Sequence, residues 1–361
     1  MSRTARMLVL AVAILACGEV ATADYPAVVP GYRITFPGDE GSHPAFRTEW
    51  WYLTGWLEDD ERRPLGFQVT FFRMRPQVAE DNPSQFAPKQ LLFAHAAVSD
   101  PRQGRLLRGD KVARAGFGLA GASEGSLDVH MDDWRLRNDG ESYRASIVAP
   151  RFTLDLQLRA TRPPVLNGEG GFSRKSPRPG FASYYYSLPQ LATTGRILID
   201  GKEYRVRGVA WFDHEWWSTL LDEETHGWDW AGLNMDDGSA LMVMRMRDGR
   251  GANRWSLATW APANMGEGAP ARLYEGSGVT WTSRREWRSA ATGTRYPVEW
   301  QVEVGDRTIL LRPLMDDQEN DARGSTGTLY WEGAVRVFDT SGRPIGRGYL
   351  ELTGYGSRLR L

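Results

Sequence analysis

Apolar and polar residues alternate one for one along several stretches of the chain. Phe152, Leu154, Leu156 and Leu158 alternate with Thr153, Asp155 and Gln157, and Leu65, Phe67, Val69 and Phe71 alternate with Gly66, Gln68 and Thr70. A period of two puts each apolar set on one face of an extended chain, so each run predicts a strand with one buried face. Between such runs lie Asn138-Asp139-Gly140, Asp200-Gly201, Asp237-Gly238, Gly305-Asp306 and Ser341-Gly342. Asp-Gly and its relatives supply the positive φ angles that tight hairpins need. No amphipathic helix longer than three turns is evident. Strands joined by short turns make an antiparallel meander, whose edges are protected by closure into a barrel or by packing as a sandwich.

A faint repeat divides the chain. Trp51-Tyr-Leu-Thr-Gly55-Trp-Leu-Glu-Asp59-Asp60 aligns with Trp228-Asp-Trp-Ala-Gly232-Leu-Asn-Met-Asp236-Asp237, and a strand ending in Arg follows each. The repeat predicts two barrels of similar size. The run from Arg162 to Gly180, rich in Pro, Gly and basic residues, reads as a long loop. The strand from Tyr204 to Trp211 closes the first unit, which puts the boundary near residue 218. The expected organisation is a leader over residues 1–23, a first barrel over 24–218 and a second over 219–361.

The leader is read from Arg3 and Arg6 ahead of an apolar run from Met7 to Cys17, too short to span a bilayer, with a small-x-small site at Ala21-Thr22-Ala23. The alternative is a lipoprotein signal with the lone Cys17 as lipid anchor. Both imply export, to the periplasm or beyond, and no later stretch is apolar enough for a membrane span. One Cys forbids an intramolecular disulfide. Lys and Arg total 44 against 45 Asp and Glu, which argues against a nucleic-acid partner. With 15 Trp, 13 Tyr and 13 Phe, so neutral a chain has much apolar surface to place.

The densest candidate chemistry is Trp211-Phe212-Asp213-His214-Glu215-Trp216-Trp217. On a strand, Asp213, Glu215 and Trp217 share one face and His214 and Trp216 the other. His214 is either a general acid in an apolar cavity, its charge restored by a neighbouring carboxylate, or a satisfied core histidine. A second cluster is His43-Pro-Ala-Phe-Arg47-Thr-Glu49-Trp50-Trp51-Tyr52. Arg47 and Glu49 share a face if extended, and Arg47 is a candidate partner of Asp213 or Glu215, for a substrate-orienting pair or a structural salt bridge. Tyr185 is the candidate pocket phenol in Ser183-Tyr-Tyr-Tyr-Ser187. His95 shares a face with Phe93, and His226 is read as a turn residue. No His shows the local spacing of a metal site, which leaves only a centre assembled from distant residues, and no metal is expected. Gly121-Ala-Ser123-Glu-Gly125 matches a nucleophile-elbow pattern, but a strand-like run follows the Ser where a helix is required, so the reading is rejected. No glycine-rich phosphate loop or dinucleotide fingerprint is present.

These residues bring a resemblance into view. The chain resembles the AttH family of exported bacterial proteins, related to carotenoid hydratase (hydroxyneurosporene synthase). The matching motifs are Phe36-Pro-Gly-Asp-Glu-Gly-Ser-His43, Arg47-Thr-Glu-Trp-Trp-Tyr52, Phe93-Ala-His-Ala-Ala97, Ser183-Tyr-Tyr-Tyr-Ser-Leu-Pro189 and Gly208-Val-Ala-Trp-Phe-Asp-His-Glu-Trp216. Gly227-Trp-Asp-Trp230, Tyr330-Trp-Glu-Gly-Ala334 and Gly348-Tyr-Leu-Glu-Leu-Thr-Gly-Tyr355 extend the match over nearly all of the mature chain.

The resemblance implies two consecutive lipocalin-like (calycin) antiparallel β-barrel domains, a fold that usually holds an apolar ligand. Related hydratases add water to a carbon–carbon double bond by acid catalysis without a cofactor, and some fungal relatives of the fold class close rings pericyclically. The hydratases use a His and a Trp two residues on, matched by His214 and Trp216. They also carry a Tyr and an Asp on a following strand, and Leu241-Met-Val-Met-Arg-Met-Arg247 has neither. AttH-type proteins are associated with ABC transport systems of the envelope.

The leading expectation is an exported protein that binds an apolar or amphipathic small molecule beside such a transporter. The alternative is a cofactor-independent hydratase or isomerase acting on an isoprenoid or polyene. There His214 handles the proton with Asp213, Glu215 or Glu49, while aromatic faces such as Trp216 and Trp228 stabilise a carbocation. A hydrolase has no support. Expected ligand contacts are Trp216, Trp228, Trp50, Trp51, Tyr185, Arg47 and His95.

Overall fold

The computed structural model describes residues 25–78, 80–265 and 269–359. The expected leader, its cleavage site at Ala21-Thr22-Ala23 and the Cys17 anchor lie outside the described residues. Among those residues the chain is all-β. Its only helical turns are the short 3-10 segments Gly38–Glu40 and Gly276–Gly278, and no helix is long and apolar enough to cross a membrane.

Every pairing is antiparallel, in two sheets. The first runs Leu107–Arg114, Leu91–Ser99, Pro64–Met74, Thr48–Asp59, Lys202–Trp217, Ala182–Ile199, Phe152–Arg159, Tyr143–Val148, Trp134–Asn138, Asp128–Met131 and Ala120–Ala122. The second runs Arg272–Glu275, Asn253–Ala261, Ala240–Arg247, Gly227–Met235, Pro344–Thr353, Thr328–Phe338, Arg307–Pro313, Arg295–Val304 and Val279–Arg288. Both curl as near-barrels, as the hairpin pattern predicts. The alternating run at Phe152 is the strand Phe152–Arg159, apolar side chains inward. The stretch read as a long loop, 162–180, contains two short strands, Val165–Leu166 and Phe172–Arg174, paired to Ala182–Ile199.

Both sheets are assembled alike. Each unit's opening strand, Thr48–Asp59 or Gly227–Met235, lies between the unit's second strand and its last. The residue alignment from sequence, however, is out of step by one. Trp51 and Leu53 point into the first sheet's core, whereas Trp228 and Trp230 point out of the second sheet. A one-residue slip reverses the face of every side chain.

Each near-barrel has its own apolar core, and a third cluster lies between the sheets, built from Tyr52, Trp211, Trp228, Trp230, Met244 and Tyr349 among others. The approach is close. A Cβ on Gly66 of the first sheet would fall 2.7 Å from both Ala334 Cβ and the Tyr349 hydroxyl of the second. The strand end from Ala210 to Trp217 is therefore buried on both faces, at every position.

Candidate functional site

Between the sheets is a cavity of about 250 Å³. The first sheet gives it the outward side chains of its opening strands, Trp50, Tyr52, Phe72 and Met74, and the second gives Trp228, Trp230, Met244 and Met246. Aromatic and thioether groups make much of the wall, the kind of surface that binds apolar ligands.

Acids face this apolar space. Glu332 and Glu351 are directly opposite each other on neighbouring strands of the second sheet, Glu332 buried and Glu351 largely so. Burial and the facing Glu351 push Glu332 well above the usual carboxylate range, against the neighbouring Tyr52 hydroxyl. Burial pushes Glu351 up to about 7, aided by Glu215 and Asp229 and opposed by a 2.9 Å hydrogen bond from the Trp228 indole. Two like charges at this spacing in an apolar wall cannot both ionise at neutral pH, so the pair holds at least one proton. Glu332 Oε1 has no hydrogen-bond partner among the described residues.

Asp213 is a third acid. Burial pushes it up to about 7, against hydrogen bonds donated by Ser187, Tyr185 (2.7 Å) and the Trp211 indole (2.7 Å). Trp230 donates to the Tyr185 oxygen at 3.0 Å, which ties the sheets together. Glu215, across from Tyr185, is paired with Lys175 at 2.7 Å and accepts from Ser183.

His95 crosses between the sheets. Its Nδ1 lies 2.8 Å from the Tyr330 hydroxyl and its Nε2 3.1 Å from Ser325 Oγ. Asn320 donates to the Tyr330 oxygen at 2.8 Å. The phenol is thereby free to donate to Nδ1, which puts the ring proton on Nε2, toward Ser325. Burial lowers His95 to about 4, so the ring is neutral at physiological pH.

On the opposite face of the first sheet is a different polar group. Glu49, fully buried, takes Arg73 Nε (2.8 Å) and Ser42 Oγ (3.0 Å) on one oxygen, with His43 Nδ1 (2.7 Å) and His214 Nε2 (2.8 Å) on the other. Burial pushes Glu49 up, but Arg73 and the two imidazoles outweigh it and hold the carboxyl well below its ordinary range. His43 stacks flat on Trp216 at 3.9 Å and His214 stacks on Trp51 at 5.0 Å. The Gly121–Gly125 motif serves this knot structurally. Ser123 accepts the Ser42 amide at 2.7 Å, and a Cβ on Gly41 would collide with the Gly125 nitrogen.

The structure thus sorts the residues singled out in sequence. Trp50, Tyr185, His95, Trp228, Asp213 and Glu215 line the cavity. Glu49, His214, Trp51 and Trp216 belong to the knot inside the first near-barrel. The expected division of faces between Asp213 with Glu215 and His214 with Trp216 is seen, but the histidine's face is not the cavity's. Arg47 does not share Glu49's environment. It precedes the strand, is exposed, and lies on a cleft beside Trp217 and Asp222, while Lys175 is the cation on Glu215. Lys175, Tyr330, Glu332 and Glu351 were missed. Tyr330-Trp-Glu332 and Tyr349-Leu-Glu351, with acids set in apolar strands, carried the signal.

The AttH-like family model matches residues 27–355, so the chain belongs to the AttH-like family. The crystal structure of a putative AttH protein from Nitrosomonas europaea is 46% identical, with a TM-score of 0.84, over 91% of this chain and 99% of that one. Kievitone hydratase from Nectria haematococca superposes with a TM-score of 0.67 at 16% identity, over 93% of this chain and 97% of that one, a likeness of fold. A dehydratase, asqC, from Emericella nidulans is 25% identical over 225 residues, 60% of this chain and 58% of that protein.

Proposed function

We propose that the cavity between the sheets binds an apolar or amphipathic small molecule, and that its protonated carboxyls add or remove water across a carbon–carbon double bond. The observation that carries this reading is the opposed pair Glu332 and Glu351 on the wall of an apolar hollow. A carboxylic acid kept neutral near pH 7 is a proton donor poised for general acid catalysis. Protonation of one alkene carbon leaves a cation at the other, which the faces of Trp50, Trp228 and Trp230 stabilise. Water adds there, and its surplus proton returns to the carboxylate. Dehydration is the same path reversed. The distant dehydratase relative supports this class of chemistry.

A second reading, carriage of the ligand to an envelope transport system, is favoured by Met74, Met244 and Met246, whose pliable side chains suit more than one ligand. Both readings place the mature chain outside the cytoplasm, as the N-terminal segment implies.

The test is incubation with isoprenoid and polyene alkenes and their alcohols, read by mass spectrometry for gain or loss of one water and by quenching of Trp fluorescence. The enzyme reading expects turnover that falls about 10²- to 10⁴-fold in Glu332→Gln or Glu351→Gln, with quenching retained. Quenching without turnover selects carriage. Turnover indifferent to both substitutions, or no quenching by any compound, overturns the proposal.

A further inference from the structure

The knot in the first near-barrel has a counterpart in the second, and the two differ in one respect. In each, a fully buried acid on the opening strand faces an arginine directly across on the next, Glu49 with Arg73 and Asp229 with Arg245. Asp229 also takes Arg247 Nε at 3.1 Å and the Tyr355 hydroxyl at 2.9 Å. Every contact there joins a fixed donor to an acceptor. In the first knot, two imidazoles rather than a second guanidinium complete the contacts of the acid.

The protons of those imidazoles do not add up. His214 Nδ1 lies 3.0 Å from the Asp39 carbonyl, which can only accept, so Nδ1 carries hydrogen. His43 Nε2 lies 3.0 Å from the Asp39 carboxylate and carries hydrogen likewise. The remaining nitrogens, His43 Nδ1 and His214 Nε2, both aim at Glu49 Oε1. That oxygen belongs to a carboxylate whose other oxygen takes the Arg73 guanidinium at 2.8 Å and the Ser42 hydroxyl at 3.0 Å, so it is an acceptor. Two neutral rings would set lone pairs against it. Two imidazolium ions would bury like charges with ring centroids 5.6 Å apart, and a single one would still leave the other ring's lone pair facing Glu49 Oε1. One divalent cation in place of the two inner protons removes the conflict.

We propose that His43 Nδ1, His214 Nε2 and Glu49 Oε1 hold a divalent transition-metal ion of the zinc class. The three ligand atoms lie within 4.8 Å of one another, and the two N···O separations of 2.7 and 2.8 Å would open to about 3.3 Å around a tetrahedral ion with bonds of about 2.0–2.1 Å. The outer shell is what metal-bound imidazoles require, because each ring gives its other N–H to an oxygen of Asp39, one to the carboxylate and one to the backbone carbonyl. Trp216 and Trp51 clamp the rings. An independent sign is the hydroxyl of Tyr186. It is fully buried and without a hydrogen-bond partner among the described residues, and its ring packs edge-on against His214, with Glu40, Tyr143, Asp39 and Glu49 in electrostatic reach. Water on the metal would satisfy it. The ion braces residues 39–49 against the strand Lys202–Trp217 on the face away from the cavity, so the site stands whether or not the cavity is catalytic.

The test uses the full chain without an affinity tag. Metal analysis of the purified protein expects about one equivalent of a zinc-class ion. Chelation is expected to lower the melting temperature and added Zn²⁺ to restore it, and Co²⁺ to give visible ligand-field absorption. Glu49→Gln and His43→Gln are expected to abolish these responses, and Asp39→Asn to weaken affinity roughly ten- to hundredfold. His226→Gln should behave as wild type. Should Glu49→Gln fail to fold by circular dichroism, His43→Gln, altered at the knot's solvent edge, and Asp39→Asn decide. The proposal is overturned if wild type holds no metal and neither ion changes melting or absorption, or if those variants bind as tightly as wild type.

Discussion

The inside of the first near-barrel and the cavity between the two sheets treat charge in opposite ways. On the inner face, Glu49 is ionised and surrounded by Arg73, Ser42 and two imidazoles, with each of its oxygens engaged. Across the cavity, on the second sheet, Glu332 and Glu351 are pushed toward their neutral forms, with only the Tyr52 hydroxyl and the Trp228 indole among the described residues to oppose the push. Both settings are dry. The difference is the supply of donors. Where a guanidinium and several N–H and O–H groups converge, the charge is stabilised; where apolar walls and a second carboxyl converge, the proton stays on. An anion ringed by cationic partners suits structure, and a proton held near neutrality in an apolar hollow suits chemistry.

The largest effect is expected from breaking the inner face. Glu49→Ala leaves Arg73 and both imidazoles buried without their anion and should cost about 3–5 kcal/mol in urea denaturation. The cavity-side counterpart has the opposite sign. Glu351→Gln should raise stability at about pH 8 by about 1–3 kcal/mol, because a carboxyl that resists ionisation no longer has to ionise or stay protonated there. A loss of comparable size in both variants would erase the contrast.

Titration sharpens it further. Glu351 binds its proton more tightly folded than unfolded, so its contribution to stability falls as pH rises from about 4.5 to about 7 and is level above that. The groups facing it are Glu332, Glu215, Asp229 and the Trp228 indole. Glu351→Gln should flatten that slope in chemical denaturation across pH, and turnover that needs the acid should decline as pH passes about 7. His95 has the reverse sign. Its folded form rejects the proton, so stability falls as pH drops from 6.5 to about 4, and His95→Gln should remove that loss. The smallest effect is expected from Tyr330→Phe, which deletes one hydrogen bond to His95 and strands the Asn320 amide, at about 1–2 kcal/mol.

Much of this was legible in the chain. Alternation at Leu65–Phe71 and Phe152–Leu158 marks strands because each run has one face in a core. Alternation also separates Asp213 and Glu215 from His214 and Trp216. It could not say which set borders a hollow, because that strand end is buried on both sides and its pattern has no wet face to give it a sign. The acid pair was hidden for another reason. Glu332 and Glu351 are brought opposite by the register of two long strands, and no local spacing encodes register across a hairpin with a bulge between Val337 and Phe338. His43, Glu49 and His214 are likewise assembled from distant parts of the chain, beyond the reach of local spacing rules.

The central claim is that the cavity's carboxyls hold protons near neutrality, and the infrared carbonyl band of protonated carboxylic acid reads this directly. The full chain near about pH 6 should show the band, fading as pH passes about 7, and the band should shrink in Glu332→Gln and Glu351→Gln. A chain with no such band near that pH, or a band that both substitutions together leave whole, would contradict the account.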